Sequence, residues 1–273
     1  MTEKKLGTTR KPREPKADTE STLYVQSVEK AMKVLVAFDG TRRDLSLTEI
    51  CGLADLDLSA AQRFTFTLTA LGYLKKDPQT RRYELSPRLL DFTYHYLASN
   101  DLVSRAGPFL QQLGQETEEA CNLTVLDGTD IVFVQRIVSR NVLNPDVIVG
   151  SRLPAYCTAP GLAMLSALPE EDVSAVLGAS TLVQHTPKTV TNRRAIKSRL
   201  AAAKVEGFVR TEDEYYIGDI STAAAITDAQ GRAVGAINIA VSRARWDASR
   251  DAQRTADLVR STAFAISAHR KPS

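Results

Sequence analysis

Leu45–Leu85 reads LSLTEICGLADLDLSAAQRFTFTLTALGYLKKDPQTRRYEL. Its local signals come in the order helix, turn, helix, hairpin. Ser46-Leu47-Thr48-Glu49 and Ser59-Ala60-Ala61-Gln62 both have the form of a capping box. In each, the hydroxyl can accept from the third helical amide while the Glu or Gln reaches back to the cap amide. Two helix starts this close demand a short helix, a tight turn and a second helix from Ser59 to Leu71. Gly72, the residue type suited to a left-handed cap, closes it. Tyr73–Lys76 and Arg81–Leu85 then read as short strands around the turn Asp77-Pro78-Gln79-Thr80. This is the order of a winged helix-turn-helix, a DNA-reading arrangement.

On the second helix, Ala61, Phe64, Leu68 and Leu71 share one face, and Ser59, Ala60, Gln62, Arg63, Phe66 and Thr67 project elsewhere. Gln62 and Arg63 lie in the first turns, the part that enters the major groove. Arg suits guanine and Gln suits adenine by bidentate geometry. Each has another role open: Gln62 as the capping partner, Arg63 in a salt bridge with Glu49 or on a phosphate. Lys75, Lys76, Arg81 and Arg82 crowd the hairpin against one acid, Asp77. Beside a helix-turn-helix, that makes a phosphate-binding wing. The candidate DNA contacts are therefore Ser59, Ala60, Gln62, Arg63, Thr67, Lys75, Lys76, Arg81 and Arg82, and the expected partner is a double-stranded DNA operator.

The whole chain of 273 residues is 43% apolar and 25% charged, which leaves room for two domains with real cores. The net charge of +3 does not by itself point to nucleic acid; the local distribution does. Residues 1–22 are polar and aperiodic and read as a disordered tail. Cys51, Cys121 and Cys157 are scattered with no CxxC pair, so neither a disulfide framework nor a zinc site is indicated. No signal peptide or apolar run long enough to span a membrane is visible, and a cytoplasmic location fits.

A DNA-binding domain is expected over 23–86, opening with a helix from Ser27 to Phe38 that turns Val28, Ala31, Met32, Leu35 and Phe38 inward. Leu45–Leu47 is placed to pair with the wing. Ser86-Pro87 starts a linker helix over 87–104, which could carry a dimer contact. Residues 105–271 read as a mixed α/β domain with an antiparallel sheet, so the chain as a whole is α+β. Hairpin turns fall at Asp127–Asp130 and Asp228–Gly231, and a further strand at Val147–Val149. Helices are expected over Thr158–Leu168, Glu170–Leu177, Asn192–Glu206 and Asp247–His269.

No catalytic motif is present, and the three histidines are far apart in sequence. Glu212-Asp213-Glu214 has no histidine nearby to complete a metal site. No catalytic residue, metal or cofactor is assigned, and the second domain reads as a binder rather than an enzyme. Three stretches could line a ligand cleft: Tyr156–Gly161, whose amides open a helix, Gly218–Ala223, and Ala236–Ala240 with Asn238 among apolar neighbours. Against this, Thr158 could be only a helix cap and Asn238 could face solvent.

Taken in order, several pieces resemble the IclR family of bacterial transcription regulators over residues 24–268. They are Val25-Gln26-Ser27-Val28-Glu29-Lys30-Ala31, Leu45-Ser46-Leu47-Thr48-Glu49-Ile50, Arg63 with Leu71-Gly72-Tyr73-Leu74, Tyr83-Glu84-Leu85-Ser86, Val149-Gly150-Ser151-Arg152-Leu153-Pro154, and the strand pair around Asp228, Gly231 and Asn238. Leu85–Phe92 and Arg152–Tyr156 are most similar to the branch that controls aromatic-acid catabolism. The resemblance implies a winged helix, a linker helix and a GAF-like effector domain in a homodimer or dimer-based tetramer that binds a small organic acid. Carried over by position, the effector site would include Ala159, Pro160, Thr211, Ser221, Asn238 and Ala240. The chain departs from the common pattern at Thr211, where the family often has an acid, and at Pro160, which removes a backbone donor. The alternative is a regulator whose second domain binds no ligand and serves only oligomerisation.

Overall fold

The structure, a computed structural model, describes residues 21–139 and 146–268. Of the tail expected over 1–22, residues 1–20 lie outside the described residues, as does His269. The chain divides into two compact units, one ending at Ser99 and the other beginning at Asn100.

The first unit contains α1 (Gln26–Val36), α2 (Leu47–Ala54), α3 (Leu58–Ala70), β1 (Leu74–Lys76), β2 (Tyr83–Leu85), a 3₁₀ turn (Pro87–Leu89) and α4 (Leu90–Ser99). β1 and β2 form the wing, antiparallel with Leu74 opposite Leu85. Leu45 bridges to Tyr83 and adds a third edge, as its position suggested. Val34, Phe38, Leu45, Ile50, Leu68, Leu74 and Tyr83 make the core.

α1 corrects the expected inner face. Val28 and Met32 are 60% and 54% exposed, whereas Val34 is fully buried. The helix carries two apolar stripes, Val25–Val28–Met32–Val36 and Ala31–Val34–Leu35–Phe38. Periodicity shows that such stripes exist but not which one meets the core. α4 buries no residue within the chain, and Leu90, Phe92, Tyr94 and Tyr96 stand exposed. The linker expected over 87–104 falls on two helices separated at Asn100, whose side chain accepts from the Val103 amide and caps the second.

The second unit runs α5 (Asp101–Thr117), β3 (Ala120–Asp127), β4 (Asp130–Ile137), β5 (Arg152–Pro154), a 3₁₀ turn (Ala155–Cys157), α6 (Ala159–Ser166), α7 (Glu170–Ala179), α8 (Arg193–Glu206), β6 (Val209–Glu212), β7 (Asp219–Thr227), β8 (Ala233–Ser242) and α9 (Ala248–Ala268). The strands form one antiparallel sheet in the order β5-β4-β3-β8-β7-β6. α5 and α9 contact β3, β4, β7 and β8, and α6, backed by α8, contacts β6, β7 and β8. Val147–Val149 is not a strand; it is loop and turn leading to Gly150, whose φ is +90°. Three β-prone residues next to a residue at positive φ cannot continue a ladder.

Two local features shape the side of the sheet that faces α6. Gly161 passes so close to the 3₁₀ turn that a Cβ there would lie 2.3 Å from the Ala155 carbonyl oxygen. Between β3 and β4 the register slips: Leu123 pairs with Gln135, but Thr124 pairs with Phe133. Val134 is the extra residue of a β-bulge, which resets strand alternation. Arg136 and Phe133, three residues apart, therefore share a face with Asn122 and Thr124.

Candidate functional site: a recognition surface and a cavity with a polar wall

α3 starts earlier than the sequence suggests. Its N-cap is Asp57, in extended conformation, whose Oδ1 accepts from the Ala60 amide at 2.8 Å. The expected Ser59–Gln62 capping box is not formed, because Asp caps as well as Ser and stands two residues ahead. Asp55, at φ +54°, ends α2 and makes the tight turn. The first capping box is formed: Glu49 accepts from the Ser46 amide at 2.7 Å, and Ser46 Oγ accepts from the Glu49 amide.

This shift frees Gln62. Ser59, Gln62, Arg63 and Thr67 are exposed on α3 and Ala60 is half-buried. Neither the Gln62 nor the Arg63 side chain hydrogen-bonds to a described residue, so the Arg63–Glu49 pair is not made. Thr67 turns its hydroxyl back onto the Arg63 carbonyl at 2.9 Å. Phe66, expected to project outward, is exposed on this helix, and so is Leu58, which sequence reading did not single out.

The wing cations divide. Lys75, Lys76 and Arg81 are exposed, with Lys76 Nζ also 5.0 Å from the Tyr83 ring. Arg82 is engaged: its Nε donates to Asp44 and its Nη2 to Glu49 at 2.8 Å. The hydrogen bond it donates to Asp44, with both carboxylates nearby, raises its pKa above the usual guanidinium range. Arg82 is a strut between wing and α2. It shares Glu49 with the capping box, and the Ser46 backbone and hydroxyl hold that carboxyl below its ordinary range.

In the second unit, Ala159, Pro160, Thr211, Ser221, Asn238 and Ala240 all line one cavity of about 530 Å³, its open mouth included. Strand register accounts for the meeting. Asn122 pairs with Asn238, and Ala240 pairs with Ser221, which pairs with Thr211. Directly opposed residues share a face, so two adjacent rows, Asn122–Asn238 on β3 and β8 and Ser221–Thr211 on β7 and β6, lie side by side on one face. Asn122 Nδ2 donates to Asn238 Oδ1 at 3.3 Å, and Asn238 Nδ2 donates to Ser221 Oγ at 3.0 Å. Asn238 is buried on this face rather than facing solvent. Thr158 is not a side-chain cap; its hydroxyl donates to the Pro154 carbonyl at 2.9 Å.

Several lining residues escaped the reading of the sequence. Asn122, Tyr215 and Tyr216 join the wall, and so does Arg136, whose direction alternation alone left open; Asp219, from the expected stretch Gly218–Ala223, lines it too. The bulge at Val134 turns Arg136 inward. Burial lowers its pKa, opposed by the charges of Tyr216 and Asp219. Burial, reinforced by the nearby Asp213 carboxylate, pushes Asp219 up to about 7, while Arg136 opposes the rise. Ile131, Phe133, Val147 and Leu153 supply an apolar wall.

The acidic run is used structurally. Asp213 accepts from Lys188 and Arg243 at 2.9 and 2.7 Å and from the Gly218 amide, which holds it down to about 2. Glu214 makes a two-pronged pair with Arg199 at 2.7 and 2.8 Å. Among the described residues, no group of three or more His, Cys, Asp or Glu side chains is placed to hold a metal ion, and no helix is long and apolar enough to cross a membrane.

The pattern described as bacterial transcriptional regulator IclR C-terminal matches residues 94–268, and that of the IclR helix-turn-helix domain matches 27–78. The chain belongs to the IclR family. It is 29% identical over 232 residues to the Pca regulon regulatory protein of Pseudomonas putida, covering 85% of this chain and 79% of that one. A crystal structure from Rhodococcus sp. RHA1, described as a transcriptional regulator, superposes with a TM-score of 0.78 at 33% identity, covering 89% of this chain and 97% of the other. An IclR homologue from Microbacterium hydrocarbonoxydans, complexed with 4-hydroxybenzoate, shares the fold with a TM-score of 0.74 at 23% identity, over 88% of this chain and 97% of its own. The relatives are transcriptional regulators, not enzymes, and this IclR-family chain is a DNA-binding transcriptional regulator.

Proposed function

We propose that operator affinity is modulated by a small aromatic acid bound in the cavity of the second unit. The observation that carries this reading is the gathering of Thr211, Ser221 and Asn238, from three strands, with Arg136 around one space. Ser221 already accepts from Asn238, so its own proton is left for a ligand. Such hydroxyls orient a carboxylate, and the Arg136 charge attracts it. The apolar wall suits a ring. Pro160 takes one amide from the start of α6, so side chains and not the helix end hold the acid. The similarity to a Pca regulon regulatory protein supports an acid from aromatic catabolism. We further read α3 and the wing as the DNA-contacting surface, and the exposed stripes of α1 and α4 as faces that a second copy covers in a homodimer, consistent with action in the cytoplasm.

The test is a thermal-shift screen with benzoate-class acids, followed by operator titration with and without any stabilising acid. A ligand can shift DNA affinity only by binding the two states differently, so DNA must change acid affinity by the same factor. Asn238→Leu should abolish the acid-induced stabilisation and leave ligand-free DNA binding intact. Oligomers that bind operator but respond to no acid would leave the second unit with oligomerisation alone.

A further inference from the structure

Asp219 lines the cavity, but among the described residues nothing occupies its carboxylate. It lies two residues before Ser221 on β7, so both side chains leave the same face, about 7 Å apart along the strand. No described residue gives that carboxylate a hydrogen bond or an ion pair. Asp213, behind it, is already committed to Lys188, Arg243 and the Gly218 amide. An enclosed carboxylate without a donor is costly, and the cost falls when a proton or a donor arrives.

We propose that Asp219 is a specificity-determining residue of the effector site: it accepts a hydrogen bond from a donor group at the far end of a monocarboxylate and turns away a second carboxylate. This rests on the acid-binding reading above. The acid's own carboxylate lies toward the Ser221 hydroxyl and Arg136, its ring against Phe133 and Leu153. The separation of Ser221 and Asp219 matches the length of a para-substituted benzoate. A hydroxyl or amino group in the para position reaches Asp219 as a donor. A carboxylate there meets the like charge of Asp219 in a space where water screens it poorly.

Calorimetric titration of the intact protein at neutral pH, with benzoate, 4-hydroxybenzoate, 4-aminobenzoate and terephthalate, tests this. The two donor-bearing acids should bind about tenfold or more tighter than benzoate, and terephthalate weakest of all. Asp219→Leu should erase the preference for donors, so that 4-hydroxybenzoate and 4-aminobenzoate bind no tighter than benzoate to the same variant. Asp219→Asn should admit terephthalate, and this arm decides the matter if the leucine variant does not fold. Equal binding of all four acids, or a donor preference that survives both substitutions, overturns the role of Asp219 and leaves acid binding standing. Binding of none of the four overturns both.

Discussion

On α3, Gln62 and Arg63 stand in solvent with no side-chain partner among the described residues. In the cavity, Asn122, Asn238 and Ser221 are buried and hydrogen-bonded to one another. The first group is carried by a single helix whose cap, Asp57, lies within two turns of it. The second is assembled from three strands that span residues 120 to 242. A surface reader built on one helix tolerates substitution, because its side chains support nothing. A pocket wall does not, because each member satisfies the next. Residues of the first kind should therefore change binding without stability, and residues of the second kind should change both.

The largest expected effect breaks the pocket without touching a polar group. Gly161→Ala puts a methyl group on the Ala155 backbone, which cannot move aside as a flexible side chain could. We expect a loss of about 1–3 kcal/mol or more, read in urea as an earlier transition of the second unit with the α3 unit unchanged. A variant as stable as the parent would show that the 3₁₀ turn and α6 yield easily. Next in size is Arg63→Ala. With no partner to lose, it should melt like the parent. Its operator affinity should fall by roughly 1–3 kcal/mol if it makes a bidentate base contact, with little loss on random DNA. An equal loss on both would move Arg63 to phosphate contact.

A smaller effect sets two neighbouring carboxyls against each other. Asp213, at about 2 in the folded protein against 3.8 ordinarily, contributes stability that is present above pH 4 and lost as pH falls toward 2. Asp219, raised to about 7, works the other way. Between pH 4 and 7 the folded state binds more protons than the unfolded state, so stability falls as pH rises through that window. Asp213→Asn should thus be less stable than the parent at pH 7 and converge with it at pH 2. Asp219→Asn should match the parent at pH 4 and exceed it at pH 8. Melting temperatures across pH 2–8 decide both, and parallel curves for Asp219→Asn and the parent would show that its carboxyl titrates normally.

How much was legible in the sequence follows the same division. The winged unit's signals are local: Ser46 with Glu49, Gly72 at φ +81°, and Asp77 holding the Gln79 and Thr80 amides in the turn. These were readable, apart from the choice between Asp57 and Ser59 as cap, since both residue types suit that place. The strands of the second unit were readable as strands, and three stretches could be named as possible cleft linings, but their meeting in one cavity was implied only by family resemblance. Which face Arg136 takes depends on a bulge at Val134 that alternation does not reveal. That Asn122 meets Asn238 depends on register between strands more than a hundred residues apart.

The wing allows the finest test of the comparison, because four basic residues that look alike in sequence have two different jobs. If Lys75, Lys76 and Arg81 meet phosphates, replacing all three by alanine removes up to three counterion releases. The slope of log affinity against log salt should then flatten by up to about 2.7, at roughly 0.9 for each phosphate that is no longer neutralised. Arg82 should behave otherwise. Its guanidinium is spent on Asp44 and Glu49, so Arg82→Ala should leave the slope where it was. Its cost should appear instead as a small drop in melting temperature at low salt that shrinks as salt rises, since exposed ion pairs are weak and screened. A slope change of about one unit for Arg82→Ala would mean that DNA pulls the guanidinium from its carboxylates, and Arg82 would then rejoin Lys75, Lys76 and Arg81 on the phosphates.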